Sequence, residues 1–395
     1  MQPDNPIHQA TRAGDDARVN FQNNHAFISL LLKGDHEAAA ERLRDGFVEP
    51  GEFAQFLHRH RLQLFVCSLL GGSPVQKWLP REWVDELKMF SLRQWASQER
   101  LVRELEPIST LLGAAGHEFI LLKGPYLATR FFGGMNRREF YDLDILIRRE
   151  DLPAVERLLV RSGYVQKSST LLNRSLTTYF THAFDFVKPN VAVDLHWQFS
   201  AQLAHRLDYE AIWRQKRPFN LRGRDFLVLS DEYEVVFHIV SIFKELEMGM
   251  ARLKAFIDLY LILSKVSRQI DWEAFLECRK RERIRKVSLT ILALFLGFFD
   301  CRDNFRELAA VVAREEKLLK LVPARNHQAL METNPGAAWN KFWASNVYEC
   351  PRFAVFLWWV VSFPFRLAVY QPNGGIQRGV HYLKNRVWFK SSAAV

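Results

Sequence analysis

An α+β fold is predicted, with an α/β layered core set between an amino-terminal and a carboxy-terminal helical region. Three observations predict it. Apolar residues recur at helical spacing up to about residue 107 and again from 230 onward, whereas three short runs between them are patterned as strands. Helical segments bounded by glycine and proline separate those three runs, the order expected of a layered sheet and helices. The chain's 395 residues also exceed what one ordinary core holds, so two or three domains are expected.

After a polar leader, Ala26 to Leu32 and Ala38 to Leu43 read as short amphipathic helices, and Phe53 to Leu70 as a longer one ended by Gly71-Gly72-Ser73-Pro74. A long helix from Pro80 carries Trp83, Leu87, Phe90, Trp95, Leu101 and Leu105, with Pro107 as its kink or boundary. Phe119 to Leu122 is a buried strand that turns at Lys123-Gly124-Pro125 into a helix closed by Gly133-Gly134. Tyr141 to Ile147 alternates as a second strand, Leu152 to Arg161 is a helix, and Val191 to Trp197 is a third strand. Helices return through Val235 to Phe243, Phe256 to Leu263 and Val287 to Phe299. The expected division is a helical region at 1–107, an α/β domain at 108–229, a helical domain at 230–345 and a basic aromatic tail at 346–395.

Lys and Arg number 54 against 44 Asp and Glu, and this net +10 favours anionic company: nucleotides, nucleic acid or acidic lipid. The four cysteines lie far apart without paired spacing, so neither a zinc site nor a disulfide framework is indicated, and a reducing cytoplasm fits. The first 24 residues lack the apolar stretch of a secretory signal, so export is not expected.

Chemistry is concentrated in the second and third strands. Residues two apart on a strand share a face, so Asp142 and Asp144 present their carboxylates together, as Asp194 and His196 do on the later strand. Like charges held so close repel unless a cation lies between them, and a hard divalent ion prefers such oxygens. If the two strands are neighbours, three carboxylates converge as two-metal phosphoryl transfer requires. Lys123 and Gly124, at a strand-to-helix turn, suit a triphosphate, and Arg137 is a further candidate for the same anion. His196 reads either as a phosphate or metal contact that orients Asp194, or as an ordinary hydrogen-bonded strand histidine.

The ordered set Leu122-Lys123-Gly124, Arg137, Asp142-Leu143-Asp144-Ile145-Leu146-Ile147, Gly163-Tyr164 and Val193-Asp194-Leu195-His196-Trp197 resembles the uncharacterised nucleotidyltransferase family of the polymerase-β-like superfamily. The resemblance is strongest from Leu121 to Trp197 and weaker over Arg59 to Leu70 and Phe256 to Trp272. It implies a nucleotidyltransferase-type mixed sheet in which Asp142 and Asp144 bind both metals and Asp194 the catalytic one. The implied reaction moves a nucleoside monophosphate from a nucleoside triphosphate to an acceptor hydroxyl, with magnesium or manganese, and releases pyrophosphate. Lys123, Gly124, Arg137 and His196 are assigned to the nucleotide. Lys123-Gly124 stands where other superfamily members have Gly-Ser, and the seventeen-residue spacer from Gly124 to Asp142 is long.

Three further features carry expectations. Asp258 interrupts an apolar helix face and reads as a cap or a salt bridge between domains. Arg279 to Lys286 crowds six cations that either follow a nucleic-acid backbone, as in a nucleic-acid-modifying toxin, or form a solvated helix face. The tail at 350–395 pairs cations with tryptophans and reads as a peripheral membrane contact at the inner face of the membrane, or as a segment docked on the helical domain. That tail also suggests a non-catalytic scaffold of a membrane-associated polysaccharide assembly, against which the retained carboxylates argue.

Overall fold

The computed structural model describes residues 6–167, 174–200, 205–247, 251–316 and 348–349. Helix starts follow side-chain oxygens that satisfy otherwise orphaned amides. Helix α1 (Pro6–Lys33) is one long helix, absorbing both the polar leader and the apolar run at Ala26 to Leu32. Asp35 caps α2 (His36–Arg44), and the Glu49 carboxylate accepts from Gly51 and Glu52 N–H at the start of α3 (Pro50–His60). The run read as a single helix from Phe53 to Leu70 is broken at Arg61, which takes left-handed backbone (φ 54°) before α4 (Gln63–Leu70) begins. Helix α5 (Arg81–Ala114) continues through Pro107, because Leu101, Val102, Leu105, Ile108 and Leu112 bury one uninterrupted face across it.

Strand β1 (Ile120–Leu121) leads into α6 (Pro125–Phe132), followed by β2 (Leu143–Leu146), α7 (Leu152–Arg161), β3 (Val165–Gln166) and α8 (Arg174–Phe180). A hairpin follows, β4 (Ala183–Lys188) and β5 (Val191–His196), and then α9 (Tyr209–Arg214). A second hairpin, β6 (Arg217–Leu221) and β7 (Arg224–Val228), turns at Arg222 and Gly223, both at positive φ as a tight hairpin turn demands. The seven strands form one mixed sheet ordered β3-β4-β5-β2-β1-β7-β6, with β2 parallel to β5 and β1 parallel to β7.

The helices α10 (Asp231–Glu247), α11 (Leu253–Val266), α12 (Trp272–Arg281), α13 (Arg285–Phe298) and α14 (Arg306–Glu316) complete the fold. One apolar core runs from the amino-terminal helices through the sheet into these five. Buried polar ties cross it. Gln94 and Gln98 of α5 donate to the carbonyls of Phe140, Met135 and Arg138, fixing the loop that enters β2. From α11, Asp258 accepts two hydrogen bonds of 2.8 Å from the Arg138 guanidinium.

The crowded cations at 279–286 do not form a single outward stripe. Arg279 is buried against Tyr233 and Phe275 and paired with Glu232 and Glu282, and Arg285 is paired with Glu315. Cys67, Cys278 and Cys301 are free. Among the described residues no helix is long and apolar enough to cross a membrane. The tail read as a membrane contact, 350–395, lies outside the described residues, and Tyr348 and Glu349 just precede it. The Tyr348 hydroxyl donates to Glu247, and Glu349 accepts from the backbone N–H of Lys286 at 2.9 Å.

Candidate active site

The parallel pairing of β2 with β5 decides where the acidic side chains meet. Leu143 pairs with Val193 and Asp144 with Asp194, so the two aspartates stand side by side on one sheet face while their apolar neighbours go into the core. On the other flank of β5, Asp185 of β4 pairs with Asp194 and extends the row to three. His196 is on the same face, and its Nε2–H donates to Asp144 Oδ1 at 3.1 Å. Its Nδ1 is buried with no hydrogen-bond partner.

Among the described residues, Asp144, Asp194 and His196 form a group whose ligand atoms all lie within 4.8 Å of one another. Two carboxylates and an imidazole are a donor set that suits a divalent cation. Asp142 lines the same cavity but is outside that tight group. It stands one residue before β2, in the bend that enters the strand, so strand alternation does not fix its carboxylate against that of Asp144.

Electrostatics report the crowding. Burial, then the charges of Asp144, Asp142 and Asp185, push the Asp194 carboxyl up to about 9. Burial and the charge of Asp144 also raise Asp142, against the opposing pull of Lys254, Lys123 and Arg61. Burial would raise Asp144 too, but the His196 hydrogen bond and the charges of Lys123, His196 and Arg138 outweigh it and hold Asp144 below the usual carboxylate range. One acid is thus kept ionised while its neighbours resist ionisation, a conflict that a bound cation relieves.

These groups open into a cavity of about 430 Å³. Lys123 reaches it from the turn after β1, with Nζ 3.5 Å from Ser241 Oγ and 4.7 Å from the centre of the Phe237 ring. Its charge bears on Asp142, Asp144 and Asp194. Gly124 precedes α6 at φ 62° and ψ −125°, backbone that a side chain disfavours. Arg137 is the exception among the expected residues. It lies exposed in a 3₁₀ turn beside Gly133 and does not line the cavity, whereas its neighbour Arg138 does, engaged with Asp258.

Sequence reasoning missed Arg61, Asp185, Ser241, Lys244, Arg252 and Lys254, which also line the cavity. Burial and neighbouring positive charge lower both Lys244 and Lys254 to about 8. Alternation in Phe184-Asp185-Phe186 was the available signal for β4, whereas nothing local marks the helix-borne lysines.

A family model described as "Uncharacterised nucleotidyltransferase" matches residues 48–300, well over half of the chain. No curated protein matches it. Similar solved structures include the antibiotic-resistance factor ANT(2'')-Ia, at 13% identity over 47% of this chain and 94% of that one, with a TM-score of 0.35. Another is an antigenic nucleotidyltransferase-like protein from Paracoccidioides brasiliensis, at 14% identity over 46% of this chain and 88% of that one, with a TM-score of 0.28.

Proposed function

Since the chain belongs to the uncharacterised nucleotidyltransferase family, we propose that it moves a nucleoside monophosphate from a nucleoside triphosphate to an acceptor hydroxyl at the Asp142, Asp144 and Asp194 cavity. The observation that carries this reading is the register of Asp144 against Asp194 across two parallel strands, with His196 beside them. In the reaction the acceptor hydroxyl passes its proton to the Asp194 carboxylate as its oxygen bonds to the α-phosphorus, the bond from that phosphorus to the α-β bridging oxygen breaks, and pyrophosphate leaves with those electrons.

Asp142, Asp144 and Asp194 would hold magnesium or manganese, with His196 positioning Asp144. Bound there, the ions would acidify the acceptor hydroxyl and offset charge on the departing pyrophosphate. The chain's own groups supply the remainder. Asp194 accepts a hydrogen bond from the acceptor hydroxyl and aims its oxygen. Lys123, Lys254 and Arg61 set positive charge on the Asp142 side, where the triphosphate is drawn in. Gly124 lets the backbone approach the phosphates at the start of α6. Such a reaction belongs in the cytoplasm, where nucleoside triphosphates are abundant.

Incubating the protein with each labelled nucleoside triphosphate, magnesium or manganese and cell extract tests the reading. Label should pass to an extract component with wild type and not with Asp142→Ala; transfer undiminished in the variant removes the assignment. Once the nucleotide is known, Lys123→Gln should raise its KM roughly tenfold, the worth of one charge-assisted contact. Arg137→Ala should leave that KM within about twofold, as for a surface change away from the site. The opposite ranking would return the phosphate contact to Arg137.

A further inference from the structure

The sheet order gives the carboxylate row two ends, with Lys123 following β1 at one and Lys244 meeting His182 beside β4 at the other. Arg61, Lys123 and Lys254 bear on Asp142, whereas the field of Lys244 reaches Lys123, Glu245, Asp144 and Asp194. Lys244 comes from α10, and its Nζ donates one N–H to His182 Nε2 at 2.7 Å. His182 immediately precedes β4, the strand that places Asp185 beyond Asp194 and away from β2. His182, Asp185 and Lys244 therefore mark one end of the cavity, with Asp194 between them and the proposed triphosphate side.

We infer that this β4 end receives the acceptor, and that the acceptor is a small hydroxylated molecule carrying a phosphate or carboxylate group held by Lys244 and His182. The inference rests on the nucleotidyl-transfer reading above and adds the substrate's charge class. An ammonium has three N–H donors and His182 takes one, so an oxyanion can accept the others and neutralise the charge. A neutral polyol would satisfy the donors but leave a half-buried cation with no carboxylate in contact among the described residues, Glu245, Asp144 and Asp194 acting only from a distance. Burial and the charge of Lys123 lower the basicity of Lys244, and Glu245, Asp144 and Asp194 offset this only in part. Asp185 is exposed beside Asp194 on the same sheet face and is placed to accept from the acceptor's hydroxyls. Such a molecule spans the end of the cavity, anion at Lys244 and attacking oxygen at Asp194.

The test is calorimetric titration of the full chain in magnesium with a non-hydrolysable nucleoside triphosphate analogue. Inorganic phosphate, acetate or glycerol is then titrated into the saturated complex. The analogue occupies the first anion site, so a second anion must find another. At least one of phosphate and acetate should bind to the saturated complex, and the one that binds identifies the anion. Lys244→Gln should weaken that binding roughly tenfold or more, while its analogue affinity stays within about twofold and so reports an intact fold and first site. Analogue binding without anion binding, anion binding indifferent to Lys244→Gln, or glycerol binding as well as the anions would overturn the inference alone. If no analogue binds to wild type, the nucleotidyl-transfer reading fails and this inference fails with it.

Discussion

Asp144→Asn is expected to lower nucleotidyl transfer at least about 1000-fold, about 4 kcal/mol of transition-state stabilisation, while the protein remains folded. Asparagine keeps the size of the side chain and an oxygen that accepts from His196, so the sheet and its register with Asp194 survive. What is lost is the one carboxylate that its surroundings hold ionised. Asp142 and Asp194 resist ionisation until a cation is bound, so without Asp144 the site loses the charge that first attracts the ion. Labelled-nucleotide transfer with a parallel thermal melt checks this. A variant that melts like wild type yet keeps more than a tenth of the activity would show that the chemistry does not depend on this carboxylate.

The second large effect concerns stability. Asp258→Ala should cost about 3–5 kcal/mol, the price of leaving a buried charge without its partner. The Arg138 and Asp258 side chains are 2% and 5% exposed and are joined in two-point contact, so removing one strands the other away from water. Arg138 is also one of the charges acting on Asp144 and Asp142, so folding and site chemistry are disturbed together. A pH dependence accompanies the effect. Burial favours the neutral acid, but Arg138 and Lys254 outweigh it and hold Asp258 at about 2, below the ordinary 3.8. The unfolded chain therefore takes the proton first. This contribution, about 2 kcal/mol, is complete above pH 4 or so and fades as the pH falls toward 2. Urea midpoints at neutral pH and at pH 3 should show the gap between wild type and Asp258→Ala narrowing in acid; a constant gap would mean the pair carries no net charge interaction.

The legible parts of the fold were those with local causes. Leu143, Ile145 and Ile147 alternate with aspartates, so β2 and Asp144 on its polar face could be read directly though Asp142 falls in the bend before it, and Pro125 and Gly133 bracketed α6 correctly. Arg61 hid the break between α3 and α4, because only a left-handed backbone marks it and arginine carries no turn signal. The β6-β7 hairpin was obscured by Arg217, Arg224 and Asp225 on its strands and by Arg222 in its turn, polar residues tolerated where the hairpin closes one end of the sheet. Pro107 does not end the helix, since packing along α5 overrides the lost hydrogen bond.

The site divided along the same line. Spacing placed Asp194 and His196 on one face, but pairing β5 with β2 was an assumption that only the fold could supply. Lys244 and Lys254 reach the cavity through helix packing more than a hundred residues after Lys123, and no local pattern encodes that approach. Arg137 and Arg138 show the limit of residue-level reading: adjacent arginines in one turn face opposite ways, and the one bound to Asp258 is the one at the cavity.

Manganese titration followed by electron paramagnetic resonance tests the central claim most directly, since free ion gives the signal and bound ion removes it. Wild type should take up manganese in the presence of a non-hydrolysable nucleotide. The double variant Asp144→Asn/Asp194→Asn, folded by its melting curve, should bind it at least roughly tenfold more weakly. Equal uptake by the two proteins would contradict the account, because the paired strands would then bring their acids together for some purpose other than holding a cation.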